Sequence, residues 1–210
     1  YRFGQHVEIA QVEAMTASMG VALLDYFVNG ESWDPVGNRN FERAPNGCYP
    51  CRGEDQWCVI SCPNDNEWDA LVKVMGDPVW AQGSKFDSQQ NRFTNHDELD
   101  NRIGEWTVNF ESYDLMNMLQ EHLIPAGVVQ TGEQLRNDPH LRERDFIVSV
   151  DHSEWGAVEH PGIAIKFSDT PGQITRGVPK LGEHNNEIYT KLLGISEGAV
   201  NQLVEKEVIA

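Results

Sequence analysis

Four cysteines crowded into fifteen residues have the clearest capacity for chemistry in this sequence: Cys48, Cys51, Cys58 and Cys62. Their C-x2-C and C-x3-C spacing offers the soft ligands of a structural zinc site. However, only residues 52–57 separate the two pairs, which is short for zinc half-sites. Cys58 also lies in the apolar run Trp57–Ile60, where a buried thiol behaves as a small hydrophobic side chain. We therefore expect the cysteines to pack in a core, and a zinc hairpin is the alternative.

The stretch before the cysteines is a second candidate site. Residues 31–44 lack periodicity and are rich in Gly, Asn, Asp and Pro, which predicts a long loop. Loops of this length in compact domains are often functional. Phe41 and Arg43 offer an aromatic ring and a positive charge to a ligand. The alternative is an exposed loop in which Arg43 pairs with Glu42 or faces solvent.

The elements that hold this loop follow from hydrophobic periodicity. Alternation over Gln5–Ala10 predicts a short strand. Apolar residues then recur every three to four positions from Val12 to Phe27, which predicts a helix of about five turns that ends at Gly30. If no preceding strands cover this helix, its apolar face is expected to be exposed.

After the loop, Cys48–Cys51 and Gln56–Ser61 predict a hairpin, and Pro50 implies that its first strand lies at an edge. A second hairpin is predicted from Phe146–Asp151 and Ile163–Phe167. Capping and apolar spacing predict further helices after Asn64, Asn95, Glu111, Thr131, His184 and Ile195.

Composition restricts the classes of function. Lys and Arg number 16 against 33 Asp and Glu, so the net charge is −17. This charge repels polyphosphates and argues against a nucleic-acid partner. No apolar run approaches the roughly 20 residues of a membrane span, and the start has no signal-peptide pattern. A folded protein in the cytoplasm is the expectation.

An ordered series of short motifs is more specific than any of these features. The chain resembles the C-terminal half of class III CoA-transferases, the family of formyl-CoA and carnitine CoA-transferases. The motifs that carry this resemblance are Gly4-Gln5-His6-Val7-Glu8-Ile9, Gly37-Asn38-Arg39, Ala44-Pro45-Asn46-Gly47-Cys48-Tyr49, Asp138-Pro139-His140-Leu141-Arg142 and Leu181-Gly182-Glu183-His184.

The resemblance implies an α/β fold, in which a small α+β domain accompanies the C-terminal part of a Rossmann-like large domain. Residues 1–36 would supply a strand and connecting helix of the large domain, residues 37–104 the small domain, and residues 105–210 the return to the large domain. Such enzymes resemble one another in forming interlocked homodimers, which this chain would join when complete.

The resemblance also implies chemistry. An aspartate carboxylate would attack an acyl-CoA thioester to form a mixed anhydride, and a carboxylic acid would then exchange in. That aspartate is expected upstream of Tyr1, so no catalytic residue is assigned here and the segment alone is expected to be inactive. No cofactor or metal is expected, since CoA enters as part of the substrate. The implied substrate-binding residues are Asn38, Arg39, Asn40, Phe41, Arg43, Asn46 and Gly47.

Three alternatives remain open from the sequence. An α-methylacyl-CoA racemase has a similar pattern but places a glutamate in an Ile-Glu-Pro run, whereas this chain has Ile60-Ser61-Cys62-Pro63. A non-catalytic binding module with a zinc hairpin is the second. Finally, His184 is either a base or part of a helix cap.

Overall fold

The computed structural model describes residues 6–152 and 154–209 of the chain. The chain divides into two compact units, one ending at Val129 and the other beginning at Gln130. The first contains a three-stranded sheet and the second a two-stranded sheet. The predicted mixture of helices and short strands is confirmed at this level. The boundaries at residues 36/37 and 104/105 stay predictions.

The described part of the first unit contains one three-stranded sheet and six α-helices. Its strands are β1 (Asn46–Pro50), β2 (Trp57–Ser61) and β3 (Ala126–Val128). Its helices are α1 (Gln11–Ser18), α2 (Gly20–Asn29), α3 (Asp65–Val74), α4 (Gln89–Thr94), α5 (His96–Thr107) and α6 (Ser112–Glu121), with a 3-10 turn at Val79–Gln82.

The start of the first unit differs from the prediction. Gln5 lies outside the described residues, and His6–Ala10 form no strand within the described part. The predicted long helix is present but interrupted at Met19, and it ends at Gly30, whose φ of 75° is left-handed. As expected, the apolar side chains along it are exposed.

The predicted first hairpin is confirmed and continues into a third strand. β1 pairs antiparallel with β2, and β2 pairs antiparallel with β3, so β1 is an edge strand as Pro50 predicted. The inward face carries Tyr49, Cys58 and Ile60, all buried. Leu71 of α3, Ile103 of α5 and Leu119 of α6 belong to the same core, so the sheet has one packed face.

Local capping explains where α3 begins. Asn64 and Glu67 form a capping box at α3, as the sequence predicts. On α6, Leu115 and Leu119 are buried, whereas Leu123 is 84 % exposed. The reason is that α6 ends at Glu121, and Leu123 follows in a left-handed turn.

The second unit contains α7 (Gly132–Arg136), α8 (Pro139–Glu143), β4 (Ile147–His152), β5 (Gly156–Pro161), a π-helix (Asn186–Leu192) and α9 (Glu197–Glu205). Its predicted hairpin is present, but β5 is the second strand and Ile163–Phe167 forms none, which corrects the prediction. Gly156, at a φ of 69°, turns the chain back early, so alternation alone misplaced this strand. In the described part of the chain, no helix is long and apolar enough to cross a membrane.

Candidate functional site

Four of the predicted binding residues line one cleft of about 470 Å³ in the first unit. The loop before β1 supplies Asn38 and Arg43, and the start of β1 supplies Asn46 and Gly47. Because β2 and β3 form the other walls, three strands and one loop meet here. The remaining lining residues are Val59, Ile60, Ser61, Pro125, Ala126 and Gly127.

Asn46 ties the loop to the sheet at this cleft. Its amide nitrogen donates to the carbonyl of Asn38, and its amide oxygen accepts a hydrogen bond from Ser61 Oγ at 2.8 Å. Strand register explains the second contact, because Asn46 lies opposite Ser61 in the β1–β2 pair. The side chain of Asn46 is thus committed to holding the cleft together.

A second cleft of about 670 Å³ adjoins the first, since both are lined by Asn38, Asn46 and Gly47. Arg39 lines this second cleft, where its guanidinium pairs with Asp97 and lies 3.8 Å from Asp100. Both carboxylates belong to α5. Arg39 therefore fastens the loop to a helix, and its charge is already neutralised.

Asp100 contacts several side chains near this cleft, and the sequence analysis did not identify it. It accepts a hydrogen bond from Tyr49 OH at 2.8 Å, and its other oxygen lies 3.1 Å from His96 Nδ1, without the alignment of a hydrogen bond. Burial and the neighbouring Asp100 raise the pKa of Tyr49 far above its ordinary value. Tyr49 therefore stays a neutral donor. The one signal in the sequence was the i, i+4 spacing of His96 and Asp100.

Gly47 is required by the close approach of Tyr49. Both residues lie on the same face of β1, and the Tyr49 ring folds back over Gly47. A Cβ atom at position 47 would lie 2.7 Å from Tyr49 Cζ and OH. No side chain fits there unless the ring moves, so this glycine is needed for space and not for backbone freedom.

The remaining two predicted residues are not among those lining the two clefts. Phe41 packs its ring between Trp33 and Phe93, at centroid distances of 6.0 Å and 5.3 Å. Asn40 accepts a hydrogen bond from the Glu42 amide at 2.8 Å. Both residues shape the loop in this structure.

Arg43 differs from Arg39 in having no counter-ion. Within residues 6–152 and 154–209, no carboxylate lies at ion-pair distance from its guanidinium, so the predicted pair with Glu42 is not formed. Arg43 is exposed, which agrees with the other predicted alternative, a side chain that faces solvent. The backbone on either side is nevertheless held. Arg43 N donates to Asn40 O at 3.4 Å, and the next carbonyl, Ala44 O, accepts from Arg92 Nε at 2.7 Å.

Arg92 is a buried arginine that sequence reasoning missed. Its Nη1 donates to Phe86 O at 3.1 Å, and its Nη2 reaches Asp65. The guanidinium also lies 5.3 Å from the centroid of the Trp68 ring. Arginine is almost never fully buried without such partners, and no local pattern in α4 predicts them.

The cysteines lie on both faces of the sheet. Cys58 and Cys62 are fully buried, and their pKa values are raised to about 12, chiefly by burial. Cys48 pairs with Val59 on the opposite face from Cys58, which pairs with Tyr49. Core packing is confirmed for the buried thiols. Because the register separates Cys48 from Cys58, the four sulfur atoms do not converge as a zinc hairpin requires.

Two motifs that carry the family resemblance lie in the second unit, and their residues make structural contacts. Asp138 caps α8 through Leu141 N at 2.9 Å, and hydrogen bonds from Gln130 and Leu141 lower its pKa. His184 accepts a backbone hydrogen bond from Ile188 at the start of the π-helix, and it lines a separate cleft of about 340 Å³. Its role as a base stays a prediction.

Comparison with known proteins identifies the family. The chain belongs to CoA-transferase family III, whose model matches residues 3–185. A succinyl-CoA--D-citramalate CoA-transferase of Chloroflexus aurantiacus is 33 % identical over 206 residues, covering 98 % of this chain and 51 % of that protein. A formyl-CoA:oxalate CoA-transferase of Bradyrhizobium sp. is 32 % identical over 180 residues, covering 83 % of this chain and 41 % of that protein.

The fold comparison agrees with the sequence. A CAIB/BAIF family protein from Brucella suis superposes with a TM-score of 0.77 at 25 % identity, over 90 % of this chain and 48 % of that one. The chain thus spans about half the length of the curated relatives and of the solved structure that it matches.

Proposed function

We propose that the protein to which these residues belong transfers CoA from an acyl-CoA to a carboxylic acid. The observation that carries the proposal is the family match over residues 3–185, together with a cleft built from the matching loop. The relatives' names describe CoA transfer between carboxylic acids, which is the chemistry we assign.

The proposed reaction proceeds through an aspartyl anhydride. An aspartate carboxylate attacks the thioester carbonyl, the C–S bond breaks, and CoA leaves as the thiolate. The acceptor carboxylate then attacks the aspartyl carbonyl of the anhydride and displaces the donor acid. Finally the thiolate attacks the acceptor's acyl carbonyl and regenerates the aspartate. We place that aspartate outside these 210 residues, so this chain alone would be inactive.

The role proposed for this chain is to bind the acyl group. Arg43, Asn38, Asn46 and Gly47 line the cleft, while Arg39 and the packed residues Asn40 and Phe41 hold the loop in place. Within this proposal, the first unit contains the small domain, and the second belongs to a Rossmann-like large domain of an interlocked homodimer. We further propose a cytoplasmic protein that needs no cofactor besides its CoA substrates.

Labelled oxygen tests the mechanism. The full-length protein that contains these residues is incubated with an acyl-CoA and a carboxylic acid carrying 18O in its carboxylate, and its peptides are then analysed by mass spectrometry. The anhydride route predicts that 18O enters one aspartate of the protein, because exchange at the aspartyl carbonyl leaves a labelled oxygen behind. Formation of the new acyl-CoA without labelled protein would refute the covalent route.

A second assay separates the racemase alternative. A racemase would exchange the α-proton of a 2-methylacyl-CoA with deuterium in heavy water without any acceptor acid. A transferase would form a new acyl-CoA only when the acceptor is present. The sequence Ile60-Ser61-Cys62-Pro63, without a glutamate in the strand that borders the cleft, favours the transferase. Acceptor-independent exchange would replace our proposal.

A further inference from the structure

The cleft carries one uncompensated positive charge, that of Arg43. Other arginines in the first unit are engaged: Arg39 by Asp97, Arg52 by Glu111 and Arg92 by Asp65. Arg43 forms no ion pair with a described residue, although the chain has a net charge of −17. An unpaired guanidinium that lines a cleft in so acidic a protein is suited to an anionic group of a ligand.

The backbone at Arg43 is also held in place before any ligand arrives. Its backbone amide donates to Asn40 O at 3.4 Å, and the neighbouring Ala44 carbonyl accepts from the buried Arg92. The ring of Phe41 is packed against Phe93 of α4. Because the loop is anchored on both sides of Arg43, little backbone ordering opposes binding.

The neutral part of the cleft limits what the anion can be. Val59, Ile60, Pro125 and Ala126 give it apolar walls, and Asn38 adds an exposed side-chain amide. Such walls suit a short hydrocarbon chain with a charge at one end. A phosphate of CoA is the other possible anion, and it would be common to every acyl-CoA.

Chemistry decides which carboxylate Arg43 can hold. A carboxylate bound by a guanidinium is stabilised as the anion, and its lone pairs are engaged, so it is a poor nucleophile. In an acyl-CoA the reacting carboxyl is a neutral thioester. Arg43 therefore suits a second carboxylate, at the far end of the acyl chain.

We propose that Arg43 anchors the non-reacting carboxylate of a dicarboxylic acyl group, so that dicarboxylic acids and their mono-CoA thioesters are the preferred substrates. This inference rests on the proposed CoA transfer. It names the specificity-determining residue of that site and the substrate class that it selects.

The test compares succinyl-CoA with butyryl-CoA, which have the same number of carbons but differ in the distal carboxylate. Transfer to acetate is measured as kcat/KM with the purified full-length protein that contains these residues, and binding of each thioester to the same protein is measured by calorimetry. We expect a preference of about 10- to 100-fold for succinyl-CoA, the range of a charge-assisted hydrogen bond. Arg43→Gln should lower kcat/KM for succinyl-CoA by about 10- to 100-fold more than kcat/KM for butyryl-CoA, and so remove this preference.

Two further variants sharpen the comparison. Arg43→Lys keeps the positive charge but cannot form the two parallel hydrogen bonds of a planar guanidinium, so it should retain part of the preference for succinyl-CoA. Arg144→Gln removes an exposed arginine of the second unit that forms no ion pair in the described structure. This control should leave kcat/KM unchanged for both thioesters.

Three results would overturn the inference. One is an equal loss of kcat/KM for both thioesters in Arg43→Gln, which would indicate that the side chain binds a phosphate of CoA. Another is a preference that the variant retains. The third is a wild-type protein that binds and uses both thioesters equally well. A different result would separate the two proposals: the wild-type protein binds succinyl-CoA more tightly than butyryl-CoA, Arg43→Gln loses this difference, and no transfer to any acid is detected. That result would support the role of Arg43 and refute the proposed CoA transfer.

Discussion

Replacing Arg92 tests whether the buried arginine holds the loop before β1. Arg92 is fully buried, and it donates to Ala44 O at 2.7 Å and Phe86 O at 3.1 Å. In Arg92→Met, each carbonyl loses this donor at a cost of about 1–3 kcal/mol, whereas methionine still fills most of the volume. We therefore expect the free energy of unfolding to fall by about 3 kcal/mol.

Asp65→Asn provides the matched control. It removes the charge that Arg92 Nη2 contacts, but the Asp65 side chain is 64 % exposed. Solvent screens this exposed carboxylate, and the amide oxygen that replaces it can still accept a hydrogen bond from Arg92, so we expect a cost of about 1 kcal/mol. If the buried carbonyl contacts matter most, Arg92→Met should cost several times more than Asp65→Asn.

Urea denaturation measures both variants, with equal m-values required for the comparison. Trypsin gives a second measurement, because release of Ala44 should speed cleavage after Arg39 and Arg43 in Arg92→Met only. A cost below about 1 kcal/mol for Arg92→Met, or equal costs for the two variants, would refute this account of the loop.

Three further predictions concern the same unit. Gly47→Ala should lower stability by about 1–3 kcal/mol in urea unfolding, since its Cβ would lie 2.7 Å from the Tyr49 ring; a neutral change would contradict that packing. Phe41→Ala should speed loop proteolysis, because it removes the ring packed 5.3 Å from Phe93; unchanged cleavage would contradict this role. The pKa values of Cys58 and Cys62, about 12 in the fold, should make stability fall as pH rises above about 9, where thiols of the unfolded chain ionise first. That loss should approach 1.4 kcal/mol per pH unit per thiol, and Cys58→Ala should reduce it; a flat profile would contradict the burial.

Much of the local structure could be predicted from the sequence. The capping box of Asn64 and Glu67, the end of α2 at Gly30 and the first hairpin follow from interactions within a few residues. The same local logic failed for Ile163–Phe167. Alternation is compatible with a strand, but only a pairing partner makes one, and β4 pairs with Gly156–Pro161 instead.

The candidate site divides in the same way. Motif order identified the family and the loop, and Arg43, Asn38, Asn46 and Gly47 do meet at one cleft. The sequence did not show that Arg39 is neutralised by α5 and Arg43 is not. That difference arises because α5 places Asp97 beside Arg39, although the two residues are 58 positions apart in the sequence.

The sequence by itself determined the family, the acidic charge, the loop and the capped helices, because these depend on residue type and short spacing. Tertiary structure alone decided that Arg92 is buried, that Tyr49 covers Gly47 and that Arg43 is left unpaired in a cleft. The physical reason is that burial and ion pairing depend on distances between segments remote in sequence, and no local pattern records those distances.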